Sequence, residues 1–186
     1  MKFQLNRNKI SKIKSMGIMI SWTFLEIGFC SDTIYSGMLS ARDIIEYAQE
    51  QLSFIEENQL ILNLAIEDEK NKSEIAVLLH KLGMEEERCI HQEIEKWKMC
   101  FLFFNLCKKE NYIDGICSLS EIWQLVGDDS EKAIFIQGVD NDFKPEEFYT
   151  EKNYSYLYSK SWEILYSLQQ KCIEGQYEKN YHPISL

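Results

Sequence analysis

The 186-residue chain predicts an all-α fold, a single-domain helical bundle or an irregular array of about seven helices. Three observations carry that expectation. Apolar residues recur at steps of three and four through most of the chain. Only two prolines, Pro145 and Pro183, break it. Residues able to cap a helix stand just ahead of several apolar runs. A chain of this length buries about 70% of the surface its unfolded state exposes, so a single core is the default. With 45% apolar and 13% aromatic residues, the composition is that of a folding chain.

Residues 1–15 form a basic segment, with Lys2, Arg7, Lys9, Lys12 and Lys14 and no acid. They resemble the lead of a secretion signal. The apolar stretch that follows argues against one, because Ser21, Trp22 and Thr23 interrupt it, Glu26 lies inside it, and no small-x-small cleavage site ends it. Phe29 stands before Cys30 where a lipid anchor requires a small residue. From Met16 to Phe29 the stretch is also shorter than the ~20 apolar residues of a membrane-spanning helix. Ile18, Trp22, Leu25 and Phe29 instead make one apolar stripe, the first core element. The expected location is therefore cytoplasmic. Cys30, Cys89, Cys100, Cys107, Cys117 and Cys172 are then expected as reduced thiols, and no two of them form a C-x-x-C pair.

Ser40, with Asp43 three residues on, predicts the start of the helix "ARDIIEYAQEQL". The run Leu60 to Ile66 predicts a second helix, closed by the charged turn "EDEKNK". Ser73 is the expected cap of the next, which carries Ile75, Leu78, Leu79 and Leu82 and stops at Gly83. From Glu85 to Lys109 no breaker intervenes, and Ile90, Ile94, Trp97, Phe101 and Phe104 form the longest stripe. After "ENYIDGIC", read as a loop, Ser118 and Glu121 open the short helix "LSEIWQLV", which ends at Gly127-Asp128-Asp129. Residues 133–139, "AIFIQGV", fit either a short strand or a buried helical turn. A last helix is expected from Tyr154 to Glu174, with Tyr158 and Trp162 in the core, and residues 175–186 form an irregular tail.

Tests for chemistry give little. Cys100 and Cys107 share a helix face but stand ~10 Å apart along the axis, too far for one zinc ion or a disulfide. Cys89-Ile90-His91 splits its two donors between different sides of a helix, and "HQEIE" is not H-E-x-x-H. Asp140-Asn141-Asp142 opens like a calcium loop, but Pro145 occupies the place of the required glycine. Asp128 and Asp129 follow a helix, where turn chemistry explains them. No nucleophile elbow, Walker A or dinucleotide glycine motif occurs, and His80, His91 and His182 have no partner at a telling spacing. The expectation is no enzyme, no metal and no cofactor.

Charge is more informative. The formal net charge is −10, and because the first 15 residues carry +5, the other 171 carry −15. Residues 46–74 and 128–151 each hold eight acids against two lysines. A field of that sign repels phosphate backbones and attracts basic partners, so nucleic-acid binding is disfavoured. The window 128–151 adjoins a run of aromatics. The candidate partner-binding residues are therefore Asp128, Asp129, Asp140, Asp142, Glu146, Glu147, Phe148, Tyr149, Glu151, Tyr154 and Tyr156, because aromatic anchors and rim charges are what interfaces use.

The stretches "ISWTFLEIGF", "SARDIIEYAQEQL", "EIEKWKMCFLFF" and "EIWQLVGDDSEKAIFI" resemble an uncharacterised family of small acidic bacterial proteins, over residues 15 to about 138. Members of that family are encoded near polymorphic toxins and look like immunity proteins. The chain departs from their pattern between Lys132 and Val139, where it has no proline. The resemblance implies a non-catalytic inhibitor of a cognate toxin domain, which its acidic surface would favour being basic. The alternative is a helical regulatory or interaction protein without a toxin partner, and after it a ligand-binding bundle or enzyme.

Overall fold

The computed structural model describes residues 7–53, 58–86, 89–106, 111–139 and 143–178. Among these lie ten helices and no strand: α1 (Arg7–Ser15), α2 (Trp22–Cys30), α3 (Ala41–Gln51), α4 (Gln59–Ala65), α5 (Lys72–Glu85), α6 (Ile90–Leu106), α7 (Tyr112–Val126), α8 (Asp129–Phe135), α9 (Pro145–Phe148) and α10 (Glu151–Glu178). The all-α expectation holds. The chain divides into two compact units, residues 1–97 with 172–186 and residues 98–171.

In the first unit, α1 buries Ile10 and Ile13, so part of the basic segment is core. Gly17 turns the chain at a φ of +80°, a conformation that favours glycine. Ser21, expected to interrupt an apolar run, is the cap of α2: its Oγ accepts the Phe24 N–H at 2.9 Å. Glu86 supplies what a single cap cannot, since its Oε2 accepts the Trp22 N–H at 2.7 Å and the Thr23 N–H at 3.3 Å. The indole of Trp97 lies flat on Phe24, with ring centroids 4.3 Å apart and planes 6° apart, and its Nε1 donates to the Phe24 carbonyl at 2.7 Å. Gly28 makes this approach possible, because a Cβ there would sit 2.1 Å from Trp97 Cζ2.

Ser40 and Asp43 form the expected reciprocal cap of α3, which buries Ile44, Ile45 and Ala48. Helix α4 presents Ile61, Leu64 and Ala65 to the core. Two expectations about α5 fail. Its first residue is Lys72, so Ser73 lies inside the helix and is not its cap. The helix also runs through Gly83 to Glu85, because the missing side chain there lets α2 come close: a Cβ would stand 3.1 Å from Glu26 Oε2 and 3.2 Å from Thr23 Oγ1. A glycine beside a neighbouring helix is a packing device and here does not stop the helix.

In the second unit, Trp123 of α7 is buried and stacked on Phe135 of α8, with ring centroids 4.5 Å apart and planes 9° apart. Its Nε1 donates to Ser161 Oγ at 3.0 Å, and Ser161 donates onward to the Leu157 carbonyl at 2.9 Å. Residues 133–135 are therefore helical, which corrects the strand reading, and the helix ends where Ile136 adopts extended angles before a turn at Gly138. Helix α7 begins at Tyr112, inside the stretch read as a loop. Asn111 caps it by accepting the Asp114 N–H at 3.0 Å, and Gly115 within it admits the ring of Tyr154.

Helix α10 is longer at both ends than expected, starting at Glu151 and reaching Glu178. Helix α6 starts at Ile90 and not at Glu85. Cys100 and Cys172 are buried as expected of small apolar groups, whereas Cys30, Cys89 and Cys117 are exposed. Cys107 lies outside the described residues.

Candidate partner-binding surface

The described candidate residues fall on or next to α8, α9 and the first turns of α10, all in the second unit. Helix α8 is opened by Asp128, whose Oδ1 accepts the Glu131 N–H at 2.9 Å and the Ser130 hydroxyl at 2.7 Å. The Ser130 hydroxyl first, and then the Glu131 backbone N–H, hold the Asp128 carboxyl below its ordinary range. Glu131 answers by accepting the Asp128 N–H at 2.9 Å and the Lys98 ammonium at 2.7 Å. This is the reciprocal cap that the sequence shows as an acid, two residues and an acid.

Helix α9 is a single turn with Pro145 at its start, and Glu147 accepts the Lys144 N–H at 3.1 Å. Phe148 then turns inward, at 1% exposure, with Phe143 and Tyr149 around it at 6.4 and 5.3 Å between ring centroids. Its place in the candidate set is a correction: with so little of the ring exposed, it is a core residue that props Tyr149 outward at 37% exposure. Asn153 fixes the junction by donating from Nδ2 to the Phe148 carbonyl at 2.8 Å, while Thr150 accepts the Asn153 N–H at 3.1 Å as α10 begins.

On α10, Tyr154 is half-buried against Gly115, where a Cβ would be 2.4 Å from Tyr154 Cε2. Tyr156, two residues on, is 55% exposed. Asp140 and Asp142 lie outside the described residues. The set therefore separates by role. Asp128 and Glu147 start helices, and Phe148 and Tyr154 pack between elements. Asp129, Glu146, Glu151, Tyr149 and Tyr156 face solvent.

Residues assigned to the core by spacing behave differently. Tyr158 and Trp162 are only half-buried, and with Tyr154 and the exposed Tyr166 they form one continuous ladder along α10. Successive ring centroids are 5.9, 6.2 and 5.8 Å apart. The repeat at 154, 158, 162 and 166 is visible in the sequence, since residues four apart share one side of a helix.

The first unit has a different character. An open cleft of about 790 Å³ lies by the starts of α3 and α5, lined by the cations Arg42 and Lys72, of which Arg42 is held by Glu46, Nε to Oε1 2.9 Å. At its edge, the partial burial of the Cys30 thiol, on a residue that is exposed as a whole, and then the charge of Glu26 push that thiol up. His80 Nδ1 lies 2.8 Å from Glu26 Oε1 on an exposed face, and Cys89 and His91 are exposed. Among the described residues no three or more His, Cys, Asp or Glu side chains gather as metal ligands would, and no helix is long and apolar enough to cross a membrane.

A family model described as an uncharacterized protein conserved in bacteria (DUF2247) matches residues 10–167. The chain belongs to this family. The match takes in both units and every candidate residue, from the buried Ile10 of α1 to the ladder of α10. No curated protein and no solved structure matches the chain.

Proposed function

We propose that this chain is a non-catalytic protein-binding module, an immunity protein that neutralises a cognate bacterial toxin domain through the acidic and aromatic surface of its second unit. The observation that carries the reading is the solvent-facing set on and beside α8, α9 and α10, where the carboxylates Asp129, Glu146 and Glu151 accompany the exposed rings of Tyr149 and Tyr156. Carboxylates accelerate encounter with a basic partner, and tyrosines hold it, because they bring rigid apolar area with a polar tip. The resemblance to immunity proteins supports the same reading.

The test is a search of the neighbouring genes for a toxin-like domain, followed by co-expression of that domain with the chain. The expected result is rescue of growth and a 1:1 complex that weakens as salt rises. Survival of cells that express the toxin without this chain contradicts the proposal, as does death of cells that express both.

A further inference from the structure

We infer that the ring ladder of α10 is a docking stripe for an arginine-bearing segment of a basic protein partner. This deepens the function proposed above and rests on it for the identity of the partner. The stripe runs through Tyr154, Tyr158, Trp162 and Tyr166, four rings in unbroken contact at 5.8 to 6.2 Å. Phe103 of α6 adds its edge to Trp162 at 6.2 Å and 90°. Such an array is half-buried along its length and opens at Tyr166, which is 58% exposed. Glu151, one turn before Tyr154, continues the stripe with a carboxylate that has no ion-pair partner among the described residues.

Charge complementarity selects the occupant. Residues 98–171 hold twelve acids against eight lysines, so the unit carrying the stripe is negative and repels the phosphates of a single strand that could otherwise stack on its rings. A cation over an aromatic face is attracted by the ring quadrupole. Arginine suits this stripe better than lysine, because its planar, weakly hydrated guanidinium stacks on the ring while its N–H groups still reach a carboxylate. Glu151 is placed to receive them at the head of the stripe. A lysine ammonium gains only the charge term.

The molecule contains its own probe. Trp22, Trp97 and Trp123 are buried, and Trp162 is the half-buried indole among the four. The experiment titrates the full chain with octa-arginine and, separately, octa-lysine at equal ionic strength, following indole emission and heat. The expected result is about fivefold tighter binding of the arginine peptide, with a change in emission that the lysine peptide does not produce. Trp162→Leu and the exposed Tyr166→Ser should each bring the two peptides closer in affinity, while Asp129→Asn should weaken both equally. Tyr166→Ser keeps the test open should Trp162→Leu fail to fold.

Equal affinities for the two peptides overturn the inference, as does an arginine preference that survives both ring variants. Tighter binding of oligouridylate, or ring-dependent dimerisation without peptide binding, overturns it as well. The two proposals fail separately. Toxin rescue without arginine preference sinks the stripe alone, and arginine preference without toxin rescue sinks the immunity function alone.

Discussion

Glu93 and Lys96 are buried to 1% and 3% exposure on α6 and satisfy one another. Lys96 Nζ donates to both carboxylate oxygens, at 2.9 and 3.1 Å, and to the Met19 carbonyl at 3.1 Å. Taking one ion from such a pair leaves the other charged in an apolar setting, which costs about 3–5 kcal/mol, whereas replacing both with apolar groups is far milder. Urea unfolding should show Glu93→Leu strongly destabilised and Glu93→Leu with Lys96→Met recovering most of the loss. Nearby, Tyr47 donates to the Ile20 carbonyl at 3.0 Å beneath the Lys14 ammonium. Burial first, then the charges of Glu86 and Glu50, push its hydroxyl up to about 12. The folded state therefore holds this proton more tightly than the unfolded state, so the contribution is complete below pH 10 and is lost as pH rises from 10 to 12. Tyr47→Phe should remove that part of the alkaline decline, read as the difference between the two unfolding curves against pH.

At the scale of elements, glycines separate what the sequence discloses from what it conceals. Helices α2, α3, α4 and α5 follow from apolar spacing, and the Ser40 cap of α3 is plain in its residue types. Gly83 and Gly115 mislead, because a glycine suggests a stop or a loop when its partner across the contact is unknown. At Gly115 the partner is Tyr154, 39 positions later in the chain, and no local pattern announces it. Gly115→Ala should therefore destabilise the protein by about 1–3 kcal/mol in urea unfolding, despite alanine's better helix propensity. A stability gain would contradict the close contact. Residues 133–139 stay ambiguous for the same reason. Their apolar run fits a short strand or a buried helical turn until Trp123 is seen stacked on Phe135. The long-range cap of α2 by Glu86 has no local signal either.

For the whole molecule, composition and charge are legible where contacts are not. The acidic windows and the aromatic run mark a candidate region, but they do not sort acids whose carboxylates bond a helix terminus, Asp128 and Glu147, from equally exposed ones without such a bond, such as Asp129, Glu146 and Glu151. The aromatic run also points to Phe148 as surface, and helical spacing to Tyr158 and Trp162 as core, because neither says how deep an aromatic side chain sits. If a negative surface recruits the partner, raising salt from about 0.05 to 0.5 M should lower the association rate by at least about tenfold and leave the dissociation rate nearly unchanged, measured by stopped flow. The measurement that bears most directly on the central claim is calorimetric titration of the full chain, and of Asp129→Lys/Glu146→Lys/Glu151→Lys, with a toxin-like domain taken from a gene neighbouring its own. The account expects a 1:1 complex for the native chain and at least about a hundredfold weaker binding for the charge-reversed one; equal binding by both, or binding by neither, would contradict it.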